Sequence, residues 1–239
     1  MAPPVAKSEG RPPVSIIIPI GPDEGPSPPV FDALELIPDD WELVVVCCEL
    51  SDPLNPIQSE HQVVLLQSKP GRASQMNTGA EVAAGETLWF LHADSIVSGE
   101  MIAALRQVVG DPNGFYYFQL GFLADGSGPM GINAIGANLR SRILGVPFGD
   151  QGFVLTADVF RKLSGYDEYL AYGEDHVLVW QARLAGIKAR CLPATLKTSA
   201  RKYRRHGWLT LTWRYQWLWL RQAFPFWLKL LKLKFGIDR

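Results

Sequence analysis

Short, nearly continuous apolar runs punctuate the first part of the chain: Val14–Ile20 (VSIIIPI), Leu43–Cys48 (LVVVCC), Val63–Gln67 and Thr87–His92. Rich in β-branched and aromatic residues and lacking alternation, they predict strands buried on both faces, as in a parallel sheet. Between and after them, apolar positions recur at helical spacing around Val30–Ile37, over Ala73–Ala84 and over Met101–Val109. Alternation of strand and helix predicts an α/β fold: a mostly parallel, open, twisted sheet with right-handed crossovers, flanked by helices. Ligands in such sheets bind at the carboxyl ends of the strands.

The second part is less regular. Gly114–Phe122 (GFYYFQLGF) reads as a strand, Ile132–Leu144 as a helix, and Glu174–Ala185 (EDHVLVWQARLA) as a helix ended by Gly186. No repeat or long linker breaks the pattern, which predicts a flexible leader over 1–13, one domain over 14–207 and a helical extension over 208–239. The extension holds five of the eight tryptophans, but Arg214, Arg221, Lys229 and Lys232 interrupt it. No run approaches the roughly 20 apolar residues that span a bilayer. As an amphipathic helix it sets those four cations on one arc and Trp213, Trp217, Leu220, Phe224, Leu228 and Leu231 on another, with a kink expected at Pro225. Tryptophan beside Lys and Arg suits peripheral contact with a membrane–water interface. Packing on the domain or in a dimer suits the same pattern, and both readings stay open.

Composition adds two constraints. At 47% apolar and 20% charged residues, the chain is ordinary for a folded protein rather than a disordered one. Its net charge of −1 hides an asymmetry, because Lys197–Arg239 holds eleven of the 23 Lys and Arg and a single acid, Asp238. A basic tail on an acidic body points to an anionic partner: phosphate, lipid headgroups or nucleic acid. With no recognisable nucleic-acid-binding module, nucleic acid is not expected. The three cysteines, two of them adjacent at Cys47 and Cys48, form neither a C-x-x-C motif nor an even framework and read as reduced thiols. The opening MAPPVAKSEGRPPV lacks an apolar signal core. The expected location is cytoplasmic, with a peripheral position on the inner membrane as the option that the tail leaves open.

Candidate chemistry sits where the runs end. In Trp89–Ser95 (WFLHADS) the apolar strand stops on His92 and Asp94. A carboxylate at a strand's carboxyl end is placed to hold Mg²⁺ or Mn²⁺ with phosphate, and His92 is either a second ligand or a supporting donor; an aspartate capping a turn has the same appearance. Upstream, Lys69-Pro70-Gly71-Arg72 opens a helix with two cations and free N–H groups, a combination suited to a diphosphate, although a plain helix start with a surface arginine reads alike. Downstream, Gly173-Glu174-Asp175 opens another helix, whose N-terminus favours negative charge; Asp175 serves there either as a base or as a cap.

Taken together, these segments resemble the family 2 glycosyltransferases of the GT-A fold. The resemblance is closest to a bacterial subgroup sharing G-R-x-x-Q-x-N-x-G-A, F-L-H-A-D, G-D-Q-G, E-D and T-S-A-R-[KR], which stand here in order at Gly71–Ala80, Phe90–Asp94, Gly149–Gly152, Glu174-Asp175 and Thr198–Lys202. It covers about residues 14–220. It implies a nucleoside-diphosphate sugar as donor, with Pro19 and Ile20 under the base, Lys69, Arg72 and Asn77 toward the nucleotide, and Asp150 and Gln151 near the donor sugar or acceptor. Asp94, with His92, would hold a divalent metal, Mn²⁺ or Mg²⁺. Asp175, paired with Glu174, would deprotonate the hydroxyl of an unidentified acceptor, lipid-linked acceptors among the options, and transfer would invert the sugar. Lys197, Arg201, Lys202, Arg204, Arg205 and His206 would close over the diphosphate or meet anionic lipid. The chain departs from the family pattern at three places. It reads Val46-Cys47-Cys48-Glu49-Leu50-Ser51-Asp52 where many members carry a base-binding aspartate, it has His92 for the first carboxylate of D-x-D, and Gly21–Pro26 differs from the usual Y-N-E. The alternative these departures raise is a degenerate GT-A domain that binds nucleotide or anionic lipid without catalysis.

Overall fold

In a computed structural model of the chain, residues 10–21, 29–48, 62–170 and 172–235 are described. Strands β1 (Val14–Ile20), β2 (Glu42–Cys47), β3 (Gln62–Gln67), β4 (Thr87–Phe90), β5 (Ser95–Ile96), β6 (Phe115–Phe122), β7 (Phe153–Thr156) and β8 (Ala189–Thr198) form one sheet in the order β3-β2-β1-β4-β7-β6-β8-β5. The pairings β1–β2, β2–β3, β1–β4 and β6–β8 are parallel, whereas β7 runs antiparallel to β4 and β6, and β5 antiparallel to β8. Parallel character is thus concentrated in the first part of the chain, where apolar runs lack alternation. Leader residues 1–9, the departures at 22–26 and 49–52, and Asp238 lie outside the described residues.

Strand pleating sends alternate side chains to opposite faces. Ile16, Ile18, Leu43, Val45 and Trp89 pack on one side with the 3-10 turn Pro29–Leu36 and helix α2 (Gly99–Arg106). Ile17, Val44, Val46, Leu88 and Phe90 pack on the other beneath α1 (Arg72–Val82), α4 (Ala157–Lys162) and α5 (Glu174–Leu184). Helix α1 lies so close to the sheet that a Cβ on Gly79 would stand 2.6 Å from Ile17 Cγ2.

The structure differs from the sequence expectation in several places. Strand β4 ends at Phe90 rather than His92: the Leu91 N–H still bonds Ile17 O at 3.0 Å, and a turn closed by Ser95 N to His92 O then redirects the chain into β5. Strands β5, β7 and β8 and helices α4 and α6 (Arg201–His206) form where the sequence pattern predicts no element. In β8, Pro193 sits in a bulge between the Tyr117–Cys191 and Gln119–Thr195 pairs, where a missing N–H is tolerated. The expected helix over 132–144 is α3 (Met130–Leu139) followed by a π turn, Arg140–Leu144. The extension forms one helix, α7 (Trp208–Phe235), which continues through Pro225.

One of the two readings left open for α7 is met. Leu211 and Ala223 are buried, Trp219, Phe226 and Leu230 pack on the core, and Phe226 stacks on Trp180 at 5.9 Å. Among the described residues, no helix is long and apolar enough to cross a membrane.

Candidate active site

A cavity of about 970 Å³ lies beyond the carboxyl end of β4, bordered by the start of α1, His92 and Asp94, the 148–150 turn, the start of α5, the end of β8, and α3 and α7. Its size is that of a pocket for a substantial small molecule. Strand pairing does the assembly: β5 against β8 sets Ser95 opposite Thr198, so Thr198 Oγ1 donates to Asp94 Oδ1 at 2.9 Å and Ser199 N to Asp94 O at 3.2 Å. This brings the H-A-D and T-S-A-R segments together from opposite ends of the chain.

The acidic side of the cavity centres on Asp175. Its Oδ2 accepts from Gly149 N at 2.6 Å and its Oδ1 from His176 N at 2.8 Å. Gly149 packs closely here: a Cβ would stand 3.1 Å from Asp175 Oδ2 and 3.3 Å from His92 Nε2, so both side chains would have to shift by a few tenths of an ångström to admit one. Glu174 is buried, and burial followed by repulsion from Asp175 raises its pKa, against the pull of Arg72, whose guanidinium lies 3.7 Å away. The Asp150 carboxyl is pushed up to about 6 by burial and by Asp175 and Asp94, with Arg140 opposing. Asp150 Oδ1 and Arg140 Nη2 are both buried with no hydrogen-bond partner among the described residues. Unpartnered polar atoms of this kind at a cavity wall are suited to groups on a ligand.

The cationic side is formed by Lys69, Arg72 and Lys202, all on the cavity wall. Burial, then the charges of Arg72 and Lys202, drives the His92 pKa well below its ordinary value, so its imidazole is neutral. Arg140 stacks over Phe148 at 3.5 Å and donates through Nε to Val146 O at 3.0 Å.

Of the residues singled out in the sequence, Lys69, Arg72, His92, Asp94, Asp150, Glu174, Asp175 and Lys202 border this cavity. Lys197, Arg201, Arg204, Arg205 and His206 of the basic stretch do not line it, and the remaining four, Gln151, Asn77, Pro19 and Ile20, support it from behind. Gln151 is fully buried, with its amide bonded to Phe118 O, Ser141 Oγ and Phe148 N, which fixes the 148–151 turn. Asn77 clamps the 166–168 loop through Tyr166 N, Tyr166 O and Glu168 Oε1, and borders a smaller neighbouring cavity. Pro19 and Ile20 are buried at the end of β1, and Cys47 is buried at the end of β2, where burial raises its thiol pKa.

Sequence reasoning missed three contributors. Gln75 Nε2 donates to Ile20 O at 2.7 Å and Val46 O at 2.8 Å, tying together the carboxyl ends of β1 and β2. Arg140 shares its segment with Arg142, and spacing alone does not tell the buried Nη2 of Arg140 from the exposed Arg142. Helix α7 supplies Trp208, Tyr215 and Trp219 to the cavity wall, which makes the extension part of the site.

For a divalent metal, the available donors are the Asp94 carboxylate and the neutral His92. Among the described residues, no three His, Cys, Asp or Glu side chains converge as a cage. This set fits an ion of the Mg²⁺ or Mn²⁺ type, which commonly uses one or two carboxylates and takes its remaining ligands from phosphate and water.

The fold is that of known glycosyltransferases. The S. aureus TarS 1–349 structure superposes with a TM-score of 0.61 at 17% identity, over 78% of this chain and 60% of that one. The mannosyltransferase PcManGT from Pyrobaculum calidifontis, solved with GDP-Man and Mn²⁺, gives 0.62 at 17% identity over 83% and 60%. S. aureus TarS 1–349 in complex with UDP-GlcNAc gives 0.59 at 16% over 78% and 58%. The match therefore spans about three fifths of the length of those structures. No protein-family model matches the sequence, and no curated protein matches it by sequence.

Proposed function

We propose that the chain is an inverting family 2 glycosyltransferase that moves a sugar from a nucleoside-diphosphate sugar to an acceptor hydroxyl. The observation that carries this reading is the convergence of Arg72, Asp94, Asp150, Glu174 and Asp175, drawn from four distant segments, on one cavity in a glycosyltransferase fold. The solved neighbours with GDP-Man and UDP-GlcNAc support a donor of this class.

In this reading Lys69, Arg72 and Lys202 hold the diphosphate, while the base lies toward the ends of β1 and β2, near Pro19 and Ile20. Asp150 and Arg140 meet sugar or acceptor hydroxyls. The acceptor oxygen attacks the anomeric carbon on the face opposite the diphosphate, and Asp175 accepts its proton. The bond from anomeric carbon to phosphate oxygen breaks with its electron pair going to the nucleoside diphosphate. The cations of the cavity wall offset the charge that develops there. A divalent metal held by Asp94 and His92 would add Lewis-acid neutralisation of the diphosphate. The buried Cys47 thiol, at the position where relatives carry a base-binding aspartate, favours a second reading, a nucleotide-binding domain without turnover.

Calorimetric titration with UDP, GDP and their sugar conjugates, in Mn²⁺ and in EDTA, tests the donor site that both readings require, and release of nucleoside diphosphate from the bound conjugate separates them. Metal-dependent binding that disappears in Asp94→Ala is the expected result; no binding to any of them overturns the transferase reading.

A further inference from the structure

The described residues include 21 large hydrophobic side chains that are exposed, and 15 of these lie on α3, its π turn and α7. That concentration is not what scattered surface apolarity looks like. On α3 and the π turn, Ile132, Ile135, Leu139 and Ile143 recur at helical spacing on the uncovered side. On α7 the uncovered stripe runs from Leu209 through Trp213, Trp217, Leu220, Phe224 and Leu231 to Phe235, within an arc of about 100°. The opposite side of α7, with Trp219, Ala223 and Phe226, is the one that packs on the core. Both helices border the cavity mouth, and Asn133 links them by bonding Trp208 Nε1 at 2.8 Å and Thr212 Oγ1 at 3.0 Å.

We propose that these two stripes dock on the surface of an anionic lipid bilayer, so that the cavity mouth between them faces the headgroups. Charge selects this occupant. Arg214, Arg221, Lys229 and Lys232 flank the α7 stripe, Arg221 stacks toward Trp217 at 5.4 Å, and Arg204 and Arg205 are exposed on the neighbouring α6. Tryptophans, aliphatic side chains and a cationic border on one helix match a membrane interface. A second copy of the chain fits poorly, since a two-fold contact through this face would set its cations against their equivalents. The inference goes beyond the transferase reading, and vesicle binding is measured without donor or acceptor.

The test is flotation of the full chain with vesicles of phosphatidylcholine, with and without phosphatidylglycerol. Two variant pairs accompany it: Ile135→Glu with Ile143→Glu on α3, and Trp213→Glu with Phe224→Glu on α7. The expected result is binding to anionic vesicles that weakens in high salt and falls about tenfold or more in each pair. All four side chains are exposed, so thermal melts of the pairs should match wild type; the charge reversal Arg214→Glu with Arg221→Glu gives an independent loss of binding. Absence of vesicle binding overturns the proposal, as does an α3 pair that binds like wild type. So does a dimer in sedimentation equilibrium, or oligonucleotide binding, that these same pairs abolish. Vesicle binding without donor binding would remove the transferase reading and leave this one standing.

Discussion

Residues 14–98 and residues 115–235 handle apolar side chains in opposite ways. In the first stretch, β1, β2 and β4 are buried on both faces, and among its described residues only Leu36, Leu65, Val82 and Ile96 are large, apolar and exposed. In the second, α3 and α7 each turn one side toward the protein and leave an apolar stripe uncovered. Apolar pattern and burial therefore agree in the first stretch and part company in the second. The lesson is that hydrophobic periodicity reports which side chains avoid water, and whether protein or another phase covers them is a separate question.

The strongest way to sharpen this contrast is at the seam between the stretches. Asp175→Asn removes the proposed base and leaves one side-chain oxygen to accept from either Gly149 N or His176 N, so transfer should fall about a thousandfold while donor affinity falls far less. Product formation beside calorimetry checks it, and unchanged turnover would remove Asp175 from that role. Next in size, Gln75→Leu strands the carbonyls of Ile20 and Val46 inside the parallel stretch. Denaturant unfolding should show a loss of about 2 kcal/mol.

A smaller effect depends on pH. The folded-state pKa of Asp150 is raised from 3.8 to about 6, so its contribution to stability is complete below 3.8 and is lost as pH rises through 6. Asp150→Asn should match wild type near pH 4 and exceed it by about 2–3 kcal/mol near pH 7.5. A difference between the two that does not vary with pH would show that the buried carboxyl is not the cause. The smallest effect contrasts the two sides of α7: Trp217→Ala should change stability by less than about 0.5 kcal/mol. Phe226→Ala, which loses the stack on Trp180, should cost about 2 kcal/mol or more in the same melts.

How far the fold could be read from the residues follows the same division. Runs such as VSIIIPI admit few interpretations, because a short segment without polar positions must be covered on both sides. Strand β8 was hidden by Pro193, which argues against a strand unless a bulge absorbs it. Strand β7 is only four residues long, too short for its period to register. At the site, the charged residues at strand and helix ends were legible, since open α/β sheets bind ligands there. Gln151 and Asn77 share motifs with cavity residues, yet they turn inward to bond backbone, and spacing alone does not distinguish a wall from its support. The inward side of α7 was not legible either, since Trp219 and Phe226 look like their exposed neighbours until the partner surface is known.

The hydrogen bond from Thr198 to Asp94 joins positions 104 residues apart. Closing so large a loop carries an entropic penalty that no local contact offsets. The site therefore has no local precursor: neither segment can prepare its share in isolation, and the cavity comes into being only when the sheet is complete. Ligand-binding competence is consequently a test of complete sheet assembly: a species that buries Trp89 in β4 but has not paired β5 with β8 would still be unable to recognise a ligand.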